Sequence, residues 1–125
     1  PMYEERLWGW YRILDHEKLQ NNTEVLTKKV RISAGKNLSY QFHSFRKEVW
    51  TILKGEGIVA KNDKLSVVKP GDVVQINEGD YHSLKAISDL ELIEIQRGEQ
   101  LVDEDVIRIM DKWEEIETKC YEFTR

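Results

Sequence analysis

Gln41, His43, Glu48 and His82 are the residues whose types and spacing could do chemistry in this chain. They fall in two short blocks. The first is Gln41-Phe42-His43-Ser44-Phe45-Arg46-Lys47-Glu48, with Gly55 after an apolar run; the second runs from Gly71-Asp72 through Glu78-Gly79-Asp80-Tyr81-His82. Gln41 and His43 differ by two positions, so on a strand both side chains point to one face. Glu48 follows a turn or bulge and can swing in from the next stretch, and His82 comes from a later strand. Imidazole and oxygen donors are compatible with one divalent ion, Zn first, with Mn, Fe, Ni and Co also possible. Only Glu48 is anionic, so a bound ion would keep a charge of about +1 and still have open positions on an octahedral metal. Such a centre suits an anionic or hydroxy-carbonyl ligand that can chelate it. A lone histidine on a strand is ordinarily a packing residue. It is the coincidence of four donors in two blocks that points to a metal site.

The elements that must position these residues read as short strands. Trp8–Leu14, Val25–Ser33, Ser39–Phe45, Glu48–Lys54, Gly57–Ala60, Lys64–Val68, Val73–Ile76, His82–Ala86 and Leu90–Gln96 carry strand patterning. Turn residues separate them, at Asn21-Asn22, Ala34 to Asn37, Gly55-Glu56-Gly57, Asn62-Asp63, Pro70-Gly71 and Glu78-Gly79-Asp80. Many short strands at this rhythm imply an all-β sandwich or barrel. No repeat, low-complexity tract or linker interrupts the chain, so one domain over 1–125 is expected. Toward the end, Val106, Ile109, Met110, Trp113, Ile116 and Cys120 recur at helical spacing, with Asp103 as a possible cap.

Parity suggests further site residues. Ser39, Gln41, His43 and Phe45 would share a face, with Phe45 on the pocket wall. Leu90, Leu92, Glu94 and Gln96 would share another that turns polar at one end. A polar pair facing into a barrel needs partners, which makes Glu94 either a proton-transfer group or a hydrogen-bonded structural glutamate, and Gln96 its neighbour in the pocket. Arg46 beside the ligand block, Arg6 near the start, and Lys28 on the strand before the metal strand are phosphate candidates, because arginine's planar fork and lysine's ammonium suit phosphate oxygens. His16, between Asp15 and Glu17, reads as a surface residue in a charged turn.

The chain has 125 residues, 34 % of them charged, with a net charge of −4. This acidic balance offers no basic stripe for nucleic acid. No apolar run approaches the roughly 20 residues of a membrane span, and no signal-peptide pattern is present. A cytoplasmic location is expected. Cys120 is the only cysteine and cannot close an internal disulfide.

The two blocks resemble the paired motifs of the cupin superfamily. Glu48 to Gly55 matches the close of the first motif, and Gly71, Gly79 and His82 match the second, with Asn77 where proline is usual. The flanks narrow the likeness to the type II phosphomannose isomerase domain, often the C-terminal part of mannose-1-phosphate guanylyltransferases. Arg6-Leu7-Trp8-Gly9 resembles its Arg-Pro-Trp-Gly opening, and Leu38-Ser39-Tyr40-Gln41-Phe42-His43 its Leu-Ser-Leu-Gln-x-His. Arg46-x-Glu48-x-Trp50, Glu91 to Gly98 and Glu104-Asp105-Val106-Ile107-Arg108 continue in register, so the likeness covers about Arg6 to Asp111.

The resemblance implies a cupin jelly-roll barrel (a double-stranded β-helix) with its core at about 6–111. The likeness also implies an acidic turn and an extended piece at Ile107 to Ile109, while the helical spacing of the apolar residues favours a helical extension at about Lys112 to Glu122. That helix's apolar stripe would pack on the core, cover the barrel mouth or meet a partner subunit. The implied activity is a metal-dependent mannose-6-phosphate/fructose-6-phosphate isomerase. In it Gln41, His43, Glu48 and His82 hold the metal, Glu94 and Lys28 act in catalysis, and Arg46, Arg6, Phe45 and Gln96 contact the substrate. The alternative is a non-catalytic cupin that binds a sugar or nucleotide sugar beside a partner. Departures support that alternative: His43-Ser44-Phe45 replaces a run of three histidines, and Asp111-Lys112-Trp113-Glu114-Glu115 replaces a closing Asp-x-Tyr-Gly-Arg. A homodimer and a separately encoded nucleotidyltransferase partner are further implications of the likeness.

Overall fold

Residues 2–120 and 122–124 are described in a computed structural model of the chain. Two six-stranded sheets face each other. The first holds, in order, β1 (Tyr3–Arg6), β2 (Gly9–Lys18), β3 (Glu24–Ile32), β10 (Leu90–Gly98), β5 (Arg46–Lys54) and β8 (Val73–Ile76). The second holds β11 (Ile107–Met110), β4 (Tyr40–Phe42), β9 (His82–Ala86), β6 (Gly57–Lys61), β7 (Lys64–Val68) and β12 (Glu122–Thr124). Neighbours are antiparallel except β7 and β12, which run parallel. Strands adjacent in sequence repeatedly cross from one sheet to the other, the winding of a jelly roll.

Between the sheets lies an apolar core built on Ile32, Trp50, Ile52, Leu84, Leu90 and Leu92, each at most 1 % exposed. Period-2 alternation makes these inward positions continuous with polar ones. On β10 the inward face runs Leu90, Leu92, Glu94, Gln96, and on β5 it runs Ile52, Trp50, Glu48. Core and polar cavity are thus two ends of the same faces. Turn chemistry fixes the register. Asn62 and Asp63 both take positive φ (49° and 67°) in the two-residue β6–β7 hairpin, the conformation that such hairpins favour. Gly55 has φ +80°, and a Cβ there would collide with the Asp89 carbonyl, so no other residue fits without moving the β5–β6 turn away from β10.

Several expectations are corrected. The strand expected over Ser39–Phe45 is only Tyr40–Phe42, because the chain turns outward at His43 to Phe45 and re-enters as β5 at Arg46. The charged turn around His16 is strand: β2 continues to Lys18, and His16 Nε2 sits 2.8 Å from Glu24 Oε1 across the hairpin. The opening strand β1, made mostly of charged residues at a sheet edge, carried no alternation to read. The C-terminal helix α1 is Trp113–Lys119, shorter than expected, and the chain returns to strand at Glu122. Its apolar side, Trp113 and Ile116 with Cys120 beyond, packs on Tyr40, Ala60 and Leu65 of the second sheet. These face away from the central core, so the helix makes a second small core on the barrel's back. The extended piece at Ile107 to Ile109 is present as β11, paired to β4.

Candidate metal centre

Three ligand-type side chains meet between the sheets. His43 and His82 come from the second sheet's side and Glu48 from the first, and one ligand atom of each lies within 4.8 Å of the other two. His43 Nε2 is 3.2 Å from Glu48 Oε2, and the two imidazole centroids are 5.1 Å apart. All three residues are at most 6 % exposed. Gln41 stands in register directly opposite His82 on the β4–β9 pair and lines the same cavity, with its Oε1 accepting 2.9 Å from Ser39 Oγ.

The backbone decides which nitrogens face inward. His43 Nδ1 lies 2.6 Å from the Asp105 carbonyl oxygen, and His82 Nδ1 lies 2.9 Å from that of Asp80. A carbonyl only accepts, so each Nδ1 carries hydrogen and each neutral ring turns an Nε2 lone pair toward Glu48. His82 Nε2 is buried with no partner. Two converging imine lone pairs beside a carboxylate repel one another unless a cation lies among them, and carbonyl-oriented histidines are the usual surroundings of metal ligands. The donor set fits a divalent ion. Electrostatics agree. Burial alone would raise the Glu48 carboxyl, but positive charge at the adjacent His43–His82 pair and the Trp50 indole N–H (2.9 Å) hold it well below its ordinary value. Burial lowers His82 against the pull of Glu48, favouring its neutral, ligating form.

Asp105 ties this centre to the 102–105 loop. Besides its carbonyl on His43, its carboxylate accepts the backbone N–H groups of Ser44 (2.8 Å) and Phe45 (2.9 Å). Arg46 closes the same loop by donating to the Val102 carbonyl at 2.7 Å and to Gln96 Oε1 at 3.1 Å. Gln96 in turn donates to Glu94 Oε2 at 2.6 Å. Glu94 pairs in register with Trp50 on one side and Lys28 on the other. Burial and the charge of Glu48 push its carboxyl up to about 7, while Lys28, Gln96 and Arg46 pull the other way.

A cavity of about 880 Å³ holds Gln41, His43, Glu48, His82, Glu94, Gln96, Lys28, Arg46 and Arg6 on its walls. Phe45 is not among them. It is 51 % exposed, because the strand whose parity would have aimed it inward ends at Phe42. Arg46 is buried and committed to Gln96 and Val102, Arg6 is ion-paired with Glu4, and Lys28 lies 4.3 Å over the Tyr11 ring. Sequence reasoning placed Asp105 and Arg108 in a motif that follows the family pattern but gave neither a role in the site. Asp105 acts through backbone contacts some 60 positions away, which no local pattern reveals.

Structural relatives place the fold among cupins. Oxalate decarboxylase from B. subtilis superposes with a TM-score of 0.70 at 16 % identity, over 87 % of this chain and 32 % of that one. The capsular polysaccharide assembling protein CapF of Staphylococcus aureus gives 0.68 at 13 %, over 86 % and 34 %. Within that class the match is to the family described as "Mannose-6-phosphate isomerase C-terminal", over residues 3–111, and the chain belongs to this family. Its relatives include the mannose-1-phosphate guanylyltransferases of Salmonella muenchen (28 % identity, 83 % of this chain, 21 % of that protein) and Sinorhizobium fredii (31 %, 86 %, 20 %). The xanthan biosynthesis protein XanB of Xanthomonas campestris is 31 % identical over 86 % of this chain and 22 % of its own length. The chain therefore spans about a fifth of the length of the curated relatives it matches. Among the described residues no helix is long and apolar enough to cross a membrane.

Proposed function

We propose that this chain is a metal-dependent sugar-phosphate isomerase of the mannose-6-phosphate/fructose-6-phosphate type, acting as one cupin domain. The observation that carries the reading is the convergence of His43, Glu48 and His82 in a cavity whose wall also holds Glu94, its carboxyl fixed by Gln96. Gln41, His43, Glu48 and His82 would hold one divalent ion, Zn first, whose Lewis acidity would favour charge developing on adjacent sugar oxygens. Glu94, when ionised, takes the proton from the carbon beside the carbonyl. Once protonated, it returns that proton to the former carbonyl carbon, while the hydroxyl proton passes between the two oxygens. Gln96, held by Arg46, fixes the Glu94 carboxylate. Lys28, opposite Glu94, favours its ionised form.

A second reading is a non-catalytic sugar- or nucleotide-sugar-binding cupin that serves a partner, including a separately encoded nucleotidyltransferase. Asp111 to Glu115 favours it. That stretch opens α1 with Trp113 buried, where the family's closing pattern would present an arginine. A cytoplasmic homodimer fits either reading.

Mannose 6-phosphate isomerisation by the metal-stripped chain, with Zn, Mn, Co, Ni or Fe added back singly, separates them. Turnover that needs a metal and is lost in Gln41→Ala and His82→Ala is expected. Metal binding without turnover under every ion would put the binding reading first.

A further inference from the structure

Building on the sugar-phosphate reading of this cavity, we propose that Arg108, on the β11 edge of the mouth, binds the phosphate of the ligand. Arg108 pairs in register with Gln41 on the β11–β4 ladder. Directly opposed residues in an antiparallel pair project to the same face with their Cβ atoms about 5 Å apart, and both line the cavity. The arginine is therefore rooted beside a candidate metal ligand on the sheet's edge, with its long side chain at the opening. It is exposed, and among the described residues no carboxylate pairs with it.

Several of the other cations on the cavity wall are already engaged. Arg46 is buried and bonded to Gln96 and Val102. Arg6 is ion-paired with Glu4 on the facing edge. Lys28 lies on the Tyr11 ring, opposite Glu94. Lys85 sits 5.6 Å over Trp113, and Lys36 and Lys112 line the cavity together with the carboxylates of Asp111 and Glu114. A hexose 6-phosphate gripped at C1 and C2 by the ligand cluster carries its phosphate four carbons away, toward the mouth. A free guanidinium fork there can donate to two phosphate oxygens, a geometry that a lysine would not reproduce.

The test is calorimetric titration of the metal-loaded chain with mannose 6-phosphate and with mannose, for wild type, Arg108→Gln, Arg108→Lys and, as a control at an exposed arginine outside the cavity, Arg12→Gln. Loss of a charged hydrogen-bonding partner predicts that Arg108→Gln weakens mannose 6-phosphate binding about tenfold or more. Arg108→Lys should recover part of the loss, and mannose affinity and the Arg12→Gln control should stay unchanged. Unchanged affinity in Arg108→Gln, equal weakening toward mannose, or no measurable binding of mannose 6-phosphate by wild type would overturn the assignment. Binding is read whether or not the sugar turns over. Phosphate-selective binding without isomerisation therefore overturns the isomerase reading alone and sustains the role of Arg108.

Discussion

Glu48 and Glu94 sit on neighbouring strands of one sheet, yet the fold drives their carboxyls in opposite directions. Glu48 gains positive charge at the His43–His82 pair and the Trp50 indole, and stays ionised. Glu94 gains burial and the field of Glu48, and is pushed up to about 7. Environments that push two carboxyls apart are the usual sign of divided labour. A base must be ionised to act, so kcat/KM should rise with pH through an acid limb at or below about 7, lower when a cation at Glu48 offsets its charge. Glu94→Gln should lower kcat by about 100-fold or more. The linkage sign is the reverse of the functional one. The folded pKa of Glu94 is raised, so its unfolded form ionises more readily and the group costs stability as pH rises above the ordinary glutamate value. Glu94→Gln should therefore melt higher than wild type at pH 8, and the two melting temperatures should converge at pH 4. A pH–rate profile read alongside melting curves checks both. A variant that keeps wild-type kcat would remove Glu94 from the chemistry.

At the scale of elements, the site is a by-product of strand alternation. The inward faces of β5 and β10 change from Ile52 and Leu92 to Glu48, Glu94 and Gln96 without a break in period. That alternation is a local property, which is why the polar end of β10 and the inward Gln41 were legible from sequence. Phe45 was misplaced by the same logic, because nothing in Gln41 to Phe45 announces that the strand stops at Phe42. What stops it is Asp105, whose carboxylate takes the Ser44 and Phe45 amides out of the β4 ladder. Such long-range capture lies outside any local pattern. The helix shows the same limit. Its apolar spacing is visible, but its target, the Tyr40–Ala60–Leu65 surface, is set by the packing of strands far apart in sequence. Ile116 is wholly buried there, so Ile116→Ala should cost roughly 2–5 kcal/mol of unfolding free energy, measured by denaturant titration. The core between the sheets does not contain Ile116, so metal affinity should hold. A parallel loss of metal affinity would tie the helix to the site.

For the molecule as a whole, two sheets meet through an apolar core at one end and a ligand-bearing cavity at the other, and the candidate centre draws on both. Gln41, His43 and His82 belong to the second sheet's side and Glu48 to the first. A cation there would tie the sheets together and stabilise the folded chain in proportion to its affinity. The paired blocks made the donor set readable in advance. The orientation of each imidazole by the carbonyls of Asp80 and Asp105, and the unpartnered His82 Nε2, became visible only once the chain was folded. The most direct measurement is calorimetric titration of the metal-stripped chain with Zn, beside His82→Gln, which keeps side-chain bulk while removing the imidazole. One ion per chain, with binding lost or weakened at least about tenfold in a His82→Gln variant whose circular dichroism is unchanged, is the predicted result. Absence of binding by wild type, or equal affinity in His82→Gln, would contradict the metal centre on which the proposed chemistry stands.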